Sequence, residues 1–294
     1  MKIGIPKAMY YYYFNKRWQY FFEYLGIEIV ESGETNRAII ESGNVNDEMC
    51  LSLKIYLGHV KELIDKCDYI LIPRIENYGV TNQMCSNYLS LYDLVNSLFD
   101  VKTLSFIIDH LNKETELKGF IKIGKILNIP AKKIKKAYYC AYNKEKQIIK
   151  LENILNYNKL KSMRKKILLI AHSYNLNDNS IGIPVINLLK TLDCEVIMGD
   201  RFDSKITEEL ANKISRDIYW KYSKKLLGAI VLCETKVDGI IFLSTFPCGL
   251  DSLVNELAIK KIKLPYLNII IDDLDSFSGI ETRIESFVDI LEQV

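Results

Sequence analysis

The stretch RKKILLIAH, residues 164–172, decides how the chain is read. Basic residues lead into an apolar run too short for a helix, and the run ends on a histidine. It reads as a buried strand of a parallel sheet with its carboxyl end at His172. It is also a second beginning. Upstream, KIGIP (2–6) is a strand, NKRWQYFFEYLG a helix ending at Gly26, IEIVES (27–32) a strand and YILIP (69–73) another. Between the last two, after a loop around Gly43, a helix starts near Asp47 and runs through CLSLKIYLGHVKELIDK. Downstream, IGIPVINLLKTLDC is a helix, EVIMGD a strand, IYWKYSKKLLGAIVLCETK a helix and GIIFLS a strand. LPYLNIIID is the last strand and GIETRIESFVDILEQV a closing helix.

Strand and helix thus alternate in two separate series, the pattern of α/β folds. The expectation is two Rossmann-like, doubly wound parallel-sheet lobes joined by a helical connector. Residues 1–100 form the first lobe, 101–162 the lysine-rich connector and 163–294 the second lobe with its C-terminal helix. A chain of 294 residues is long enough for two cores.

Its 39 basic and 37 acidic side chains leave a net charge of +2, with lysines scattered beside glutamates. That is a solvated mixed surface, so neither nucleic acid nor a membrane is expected as a partner. No apolar run approaches the ~18 residues of a membrane span, and the first residues lack a signal-peptide pattern, so a cytoplasmic protein is expected. Seven cysteines, an odd number, argue against a disulfide framework. They are core residues, metal ligands or reactive thiols.

Three cysteines stand apart. Cys248, in FPCGLDS (246–252), lies between a strand end and a helix start. Cys50 follows Asp47, an N-cap candidate, which would put its thiol in a helix's first turn. Cys85, in VTNQMCSNYLS, follows the strand YILIP. All three fall at the carboxyl edge of a sheet, where α/β proteins bind ligands. Their spacing matches no compact zinc or ferredoxin pattern. Cys67, Cys140, Cys194 and Cys233 read as core.

Other residues admit two readings each. His172, at its strand end, is an acid, a ligand or a hydrogen-bonded structural histidine, whereas His59 and His110 read as structural. Tyr12, within the YYYYF run at 10–14, walls a pocket or packs a helix. Asp251 and Ser252 cap the helix after Cys248 or touch substrate. GFIKIGK (119–125) fits a phosphate-loop spacing but has Ile126 where a magnesium-binding hydroxyl is needed.

The segments KIGIPKAMYYYYF, DEMCLSLKIYLGHV, YILIPRI with CSNYLSL, AHSYNLND, DIYWKYSKKLLG, FPCGLDS and GIETRIESFVDIL occur in an order that resembles one family. It is the activase-related proteins of the 2-hydroxyacyl-CoA dehydratase superfamily, DUF2229. The resemblance spans nearly the whole chain. It implies an iron–sulfur cluster held between the lobes by Cys50, Cys85 and Cys248, as a four-iron cubane or half of a double cubane. It also implies a separate ATP-dependent activase, itself an iron–sulfur protein, as electron donor, since this chain has no usable phosphate loop.

A dehydratase- or reductase-like reaction on an unknown small-molecule substrate, sensitivity to oxygen and a homodimer are further expectations. Lys54, one turn after Cys50, would offset the cluster's charge or face solvent. The family pattern often carries proline near each ligand, and here Ser52, Ser86 and Leu250 stand there, restoring backbone N–H groups. Three alternatives stay open: a cluster carrier or electron-transfer subunit, a small-ligand-binding module, and zinc held by the three cysteines with His172.

Overall fold

A computed structural model describes residues 1–272 and 277–293; Val294, the end of the expected closing helix, lies outside them. The first elements in chain order are β1 (Lys2–Ile5), α1 (Tyr11–Leu25), β2 (Glu28–Glu31), α2 (Arg37–Gly43), α3 (Leu51–Leu63), β3 (Tyr69–Leu71) and β4 (Arg74–Asn77). There follow α4 (Ser86–Leu98), β5 (Thr103–Leu104), β6 (Ile107–Asp109), α5 (Glu116–Ile126) and α6 (Ala131–Lys159). The remainder comprises β7 (Lys165–Ile170), α7 (Ser173–Leu176), α8 (Gly182–Thr191), β8 (Cys194–Met198) and α9 (Ser204–Ala211). It ends with α10 (Lys221–Cys233), β9 (Gly239–Thr245), α11 (Gly249–Ile259), β10 (Tyr266–Ile271) and α12 (Phe277–Glu292).

The chain divides into two units, one of residues 1–148 with 219–221, the other of 149–218 with 222–294. Helix α6 starts in the first unit and ends in the second. Residues 219–221 count with the first because Gln83 bridges Trp220, its N–H donating to the Tyr219 carbonyl at 2.8 Å.

Each unit has a four-stranded parallel sheet. The order is β2-β1-β3-β5 in the first and β8-β7-β9-β10 in the second. In both, the first strand of the series sits inside and the chain steps out to one edge before returning to the other. Strand β9 is buried at all seven positions and β7 at its last four, as strands covered on both faces should be. The expected α/β fold with Rossmann-like parallel-sheet lobes is what forms.

Local sequence explains the helices that flank the sheets. Helix α1 buries Tyr11, Phe14, Trp18, Phe21, Phe22 and Leu25, a three-and-four spacing, and stops at Gly26, whose φ of 73° suits glycine. Fully burying Trp18, Phe21 and Phe22 contributes on the order of 2–3 kcal/mol each. Helix α3 is buried on every face through Val60. A Cβ on Gly58 would meet the Ile39 carbonyl oxygen at 2.0 Å, so α2 crosses α3 backbone to backbone. The second unit repeats the device, since a Cβ on Gly228 of α10 would meet the Thr207 oxygen of α9 at 1.8 Å.

Helix α6 is held at both ends by buried polar side chains. In the first unit Arg17 bonds to Glu116 and Glu145, and the Tyr138 hydroxyl donates to Glu116 at 2.9 Å. Burial pushes the Glu145 carboxyl up to about 7, against the pull of Arg17. In the second unit the Asn156 amide donates to the Met198 carbonyl and accepts from its N–H, both at 2.9 Å, which closes the β8 edge of the sheet.

Some local expectations are corrected. Asp47 is not a helix cap: it accepts from Asn44 at 3.1 Å within a polar turn, and α3 begins at Leu51 with Cys50 as its N-cap. The region around Gly43 is not loop but the end of α2. The stretch read as helical connector also holds β5 and β6, and β4 pairs in parallel with β6 as a small separate sheet. GFIKIGK lies inside α5, where Gly119 and Gly124 let the helix approach Phe106 and Ile134. Among the described residues no helix is long and apolar enough to cross a membrane.

Candidate functional site

The three singled-out cysteines share a structural position. Cys50 is the N-cap of α3, Cys85 of α4 and Cys248 of α11. An N-cap precedes backbone N–H groups that have no partner within the helix, and the helix dipole there favours negative charge. Such an environment favours thiolate over thiol. At Cys248 the sulfur is itself the cap, accepting the Asp251 N–H at 3.4 Å, while Ser252 Oγ donates to the Cys248 carbonyl at 2.9 Å.

In the first unit, Asn87 of α4 donates its amide nitrogen to Cys50 Sγ at 3.1 Å. The helix start that carries Cys85 is therefore bonded to the one that carries Cys50. Nothing in the local sequence announces Asn87, whose partner lies 37 residues away.

The other cysteines are of a different kind. Cys67 packs against Gly4, where a Cβ would meet its sulfur at 2.5 Å, and donates to the Leu63 carbonyl at 3.4 Å. Burial raises the thiols of Cys67 and Cys194 and pushes that of Cys233 up to about 12, so all three stay protonated and inert. Cys140 is half-buried within α6. None of the seven is in a disulfide.

His172 lies two residues beyond the end of β7 and is the N-cap of α7. Its Nε2 lies 3.0 Å from Asp251 Oδ1, and both residues are buried, at 6% and 7% exposure. Its ring stacks on Tyr174 at 5.1 Å. Asp251 caps nothing with its carboxylate, which is committed to His172 while its backbone N–H serves Cys248. Beside them Ser173 donates to Asp200 at 2.5 Å, and the second Asp200 carboxylate oxygen is buried without a partner.

Lys54 does not face solvent: it is 4% exposed on the enclosed helix α3. Tyr12 is half-buried at the start of α1, edge-on to Tyr11 at 5.2 Å. Its neighbours Tyr10, Tyr11 and Phe14 are core, and the Tyr10 hydroxyl donates to the Ile75 carbonyl at 3.3 Å. His59 is fully buried, its Nε2 2.9 Å from Thr35 Oγ1, and burial lowers it to about 4. His110 meets Tyr78 edge to face. Among the described residues no three His, Cys, Asp or Glu side chains group as a metal site.

The family described as "CoA enzyme activase uncharacterised domain", DUF2229, matches residues 2–202. The chain belongs to this family. The DUF2229 match takes in Tyr12, Cys50, Lys54, Cys85 and His172, and stops short of Cys248 and Asp251. No curated protein matches the sequence. Among solved structures, a FpvC mutant from Pseudomonas aeruginosa aligns over 99% of this chain and 98% of its own. At 10% identity and a TM-score of 0.29 it carries no argument.

Proposed function

We propose that this DUF2229 chain holds an iron–sulfur cluster on Cys50, Cys85 and Cys248. On this reading it takes low-potential electrons from a separate ATP-dependent activase, as members of the 2-hydroxyacyl-CoA dehydratase superfamily do. The electrons serve a reductive or radical reaction on a small substrate. One observation carries the reading: these three cysteines, and none of the other four, are N-caps of helices. The donor set fits the group, because soft thiolates are the ligands iron–sulfur clusters take and helix N-termini favour their charge.

When bound, a four-iron cluster supplies one-electron chemistry, with three cysteines leaving one iron position for another ligand. The chain's own residues do the rest. Backbone N–H groups at the starts of α3, α4 and α11 offset negative charge, and Lys54 adds a basic side chain one turn beyond Cys50. His172 is oriented by the Asp251 carboxylate, and the same Asp251 gives its backbone N–H to the Cys248 sulfur. Tyr12, beyond the end of β1, is the aromatic side chain for a substrate wall.

A rival reading makes the chain a small-ligand module whose thiols never share a metal. In its favour stands the lack of a three-residue metal group among the described residues. Iron and acid-labile sulfide on protein purified without oxygen separate the two. The cluster reading expects about four of each per chain and a spectrum that bleaches on reduction. Protein that takes up neither after reconstitution contradicts it, and zinc alone, redox-silent, would make the site structural.

A further inference from the structure

We propose that Asn87 is the positioning residue for the Cys50 sulfur, a hydrogen-bond donor built into the ligand site that withdraws electron density from that sulfur. The inference deepens the cluster reading and rests on it. Its observation is separate: the amide nitrogen of Asn87 lies 3.1 Å from Cys50 Sγ.

Asn87 is the second residue of α4, and the cap position already belongs to Cys85. Its backbone carbonyl is engaged by the Ser90 hydroxyl at 3.1 Å. The side chain therefore does no capping of its own helix and reaches across to α3. A neutral thiol is a weak acceptor, and a sulfur carrying negative charge is a stronger one. The bond thus gains strength when Cys50 is ionised or bound to metal. By the same token it draws charge off the sulfur, and hydrogen bonds to ligand sulfurs make a cluster easier to reduce.

The second unit supplies a control within the molecule. There the Cys248 sulfur takes its hydrogen bond from the backbone N–H of Asp251. A backbone donor survives substitution, whereas the donor at Cys50 is a side chain. Of these two donors, the one at Cys50 is the one that a side-chain substitution removes.

The test has two arms. In iron-free protein, the side-chain amide resonances of Asn87, followed by nitrogen-15 NMR, shift in Cys50→Ala and hold still in Cys194→Ala. In iron-loaded protein, Asn87→Asp keeps the shape, removes the donor and adds a negative charge. It moves the reduction potential to more negative values and speeds iron loss to a chelator at least threefold. Asn87→Gln, which keeps an amide, falls between, and Ser86→Ala, exposed on the same turn, matches the wild type.

Unmoved resonances overturn the contact. An unchanged potential in Asn87→Asp overturns the effect on the cluster. Wild type that binds no iron overturns the cluster reading and the tuning with it, while the resonance arm still decides whether Asn87 holds the sulfur.

Discussion

The two units share a strand order and differ at their helix starts. In the first, the helix entering β3 begins after Cys50 and the helix between β4 and β5 begins after Cys85. In the second, the helix entering β9 follows Trp220 and only the helix after β9 follows a cysteine, Cys248. Both entering helices have 13 residues, with glycine at the eighth, Gly58 and Gly228. One architecture thus appears twice with the thiols divided two to one. In place of a second thiol, the second unit has the His172–Asp251 pair at the starts of α7 and α11. The lesson is that the two units share the sheet and the helix crossing and differ in the residues at their helix starts.

Variants in the framework should therefore act on stability and leave the thiols alone. The largest effect is expected from Arg17→Met, which strands the buried carboxylates of Glu116 and Glu145 beside α6. Removing one partner of a buried ion pair costs about 3–5 kcal/mol, to be read from urea unfolding. A loss under ~1 kcal/mol would mean the network is not a structural joint. The second unit's counterpart, Asn156, is neutral, so pH should separate the two anchors.

Glu145 is raised by burial from the ordinary carboxylate range to about 7. The folded chain then holds a proton that the unfolded chain releases, so this contribution is present at acid pH and lost as pH rises through about 7. Its size is up to about 3 kcal/mol, and Glu145→Gln should flatten that limb. His59 works in the other direction. Lowered to about 4, it contributes stability above its ordinary value that is lost as pH falls through about 4. A Glu145→Gln profile as steep as the wild type between pH 5 and 8 would break the assignment.

The glycine crossings should respond alike. Gly58→Ala and Gly228→Ala each force two backbones apart, for a loss of about 1–3 kcal/mol apiece. A large loss in one and none in the other would show that the crossing is not a shared device. The smallest effects belong to the caps of α2 and α9. Asn36 accepts from the Ile39 N–H at 3.1 Å and Asp203 from the Lys205 N–H at 2.9 Å. Replacing either by Ala should cost about 1 kcal/mol in thermal or urea unfolding.

The sheet strands were legible because buried parallel strands are continuous apolar runs, as in KILLI. The short strands β4, β5 and β6 were not, since two to four residues with Arg, Glu and Asn among them carry no apolar pattern. The place of Cys248, just past β9, was legible for the same reason as the strands, whereas Cys50 follows α2 and Cys85 a loop after β4. Their role as N-caps was missed at Cys50 because Asn44, Asn46 and Asp47 form a turn of their own, and any of them resembles a cap. The pairing of His172 with Asp251, 79 residues apart, and the burial of Lys54 depend on tertiary packing, which local pattern does not carry.

The most direct test of the account compares iron content across single cysteine variants purified without oxygen. Cys50→Ser, Cys85→Ser and Cys248→Ser should each lose most of their iron and sulfide, while Cys140→Ser and Cys194→Ser keep wild-type amounts. Equal iron in the two groups would contradict the claim that the three helix N-cap thiols, and not the other cysteines, hold the cluster.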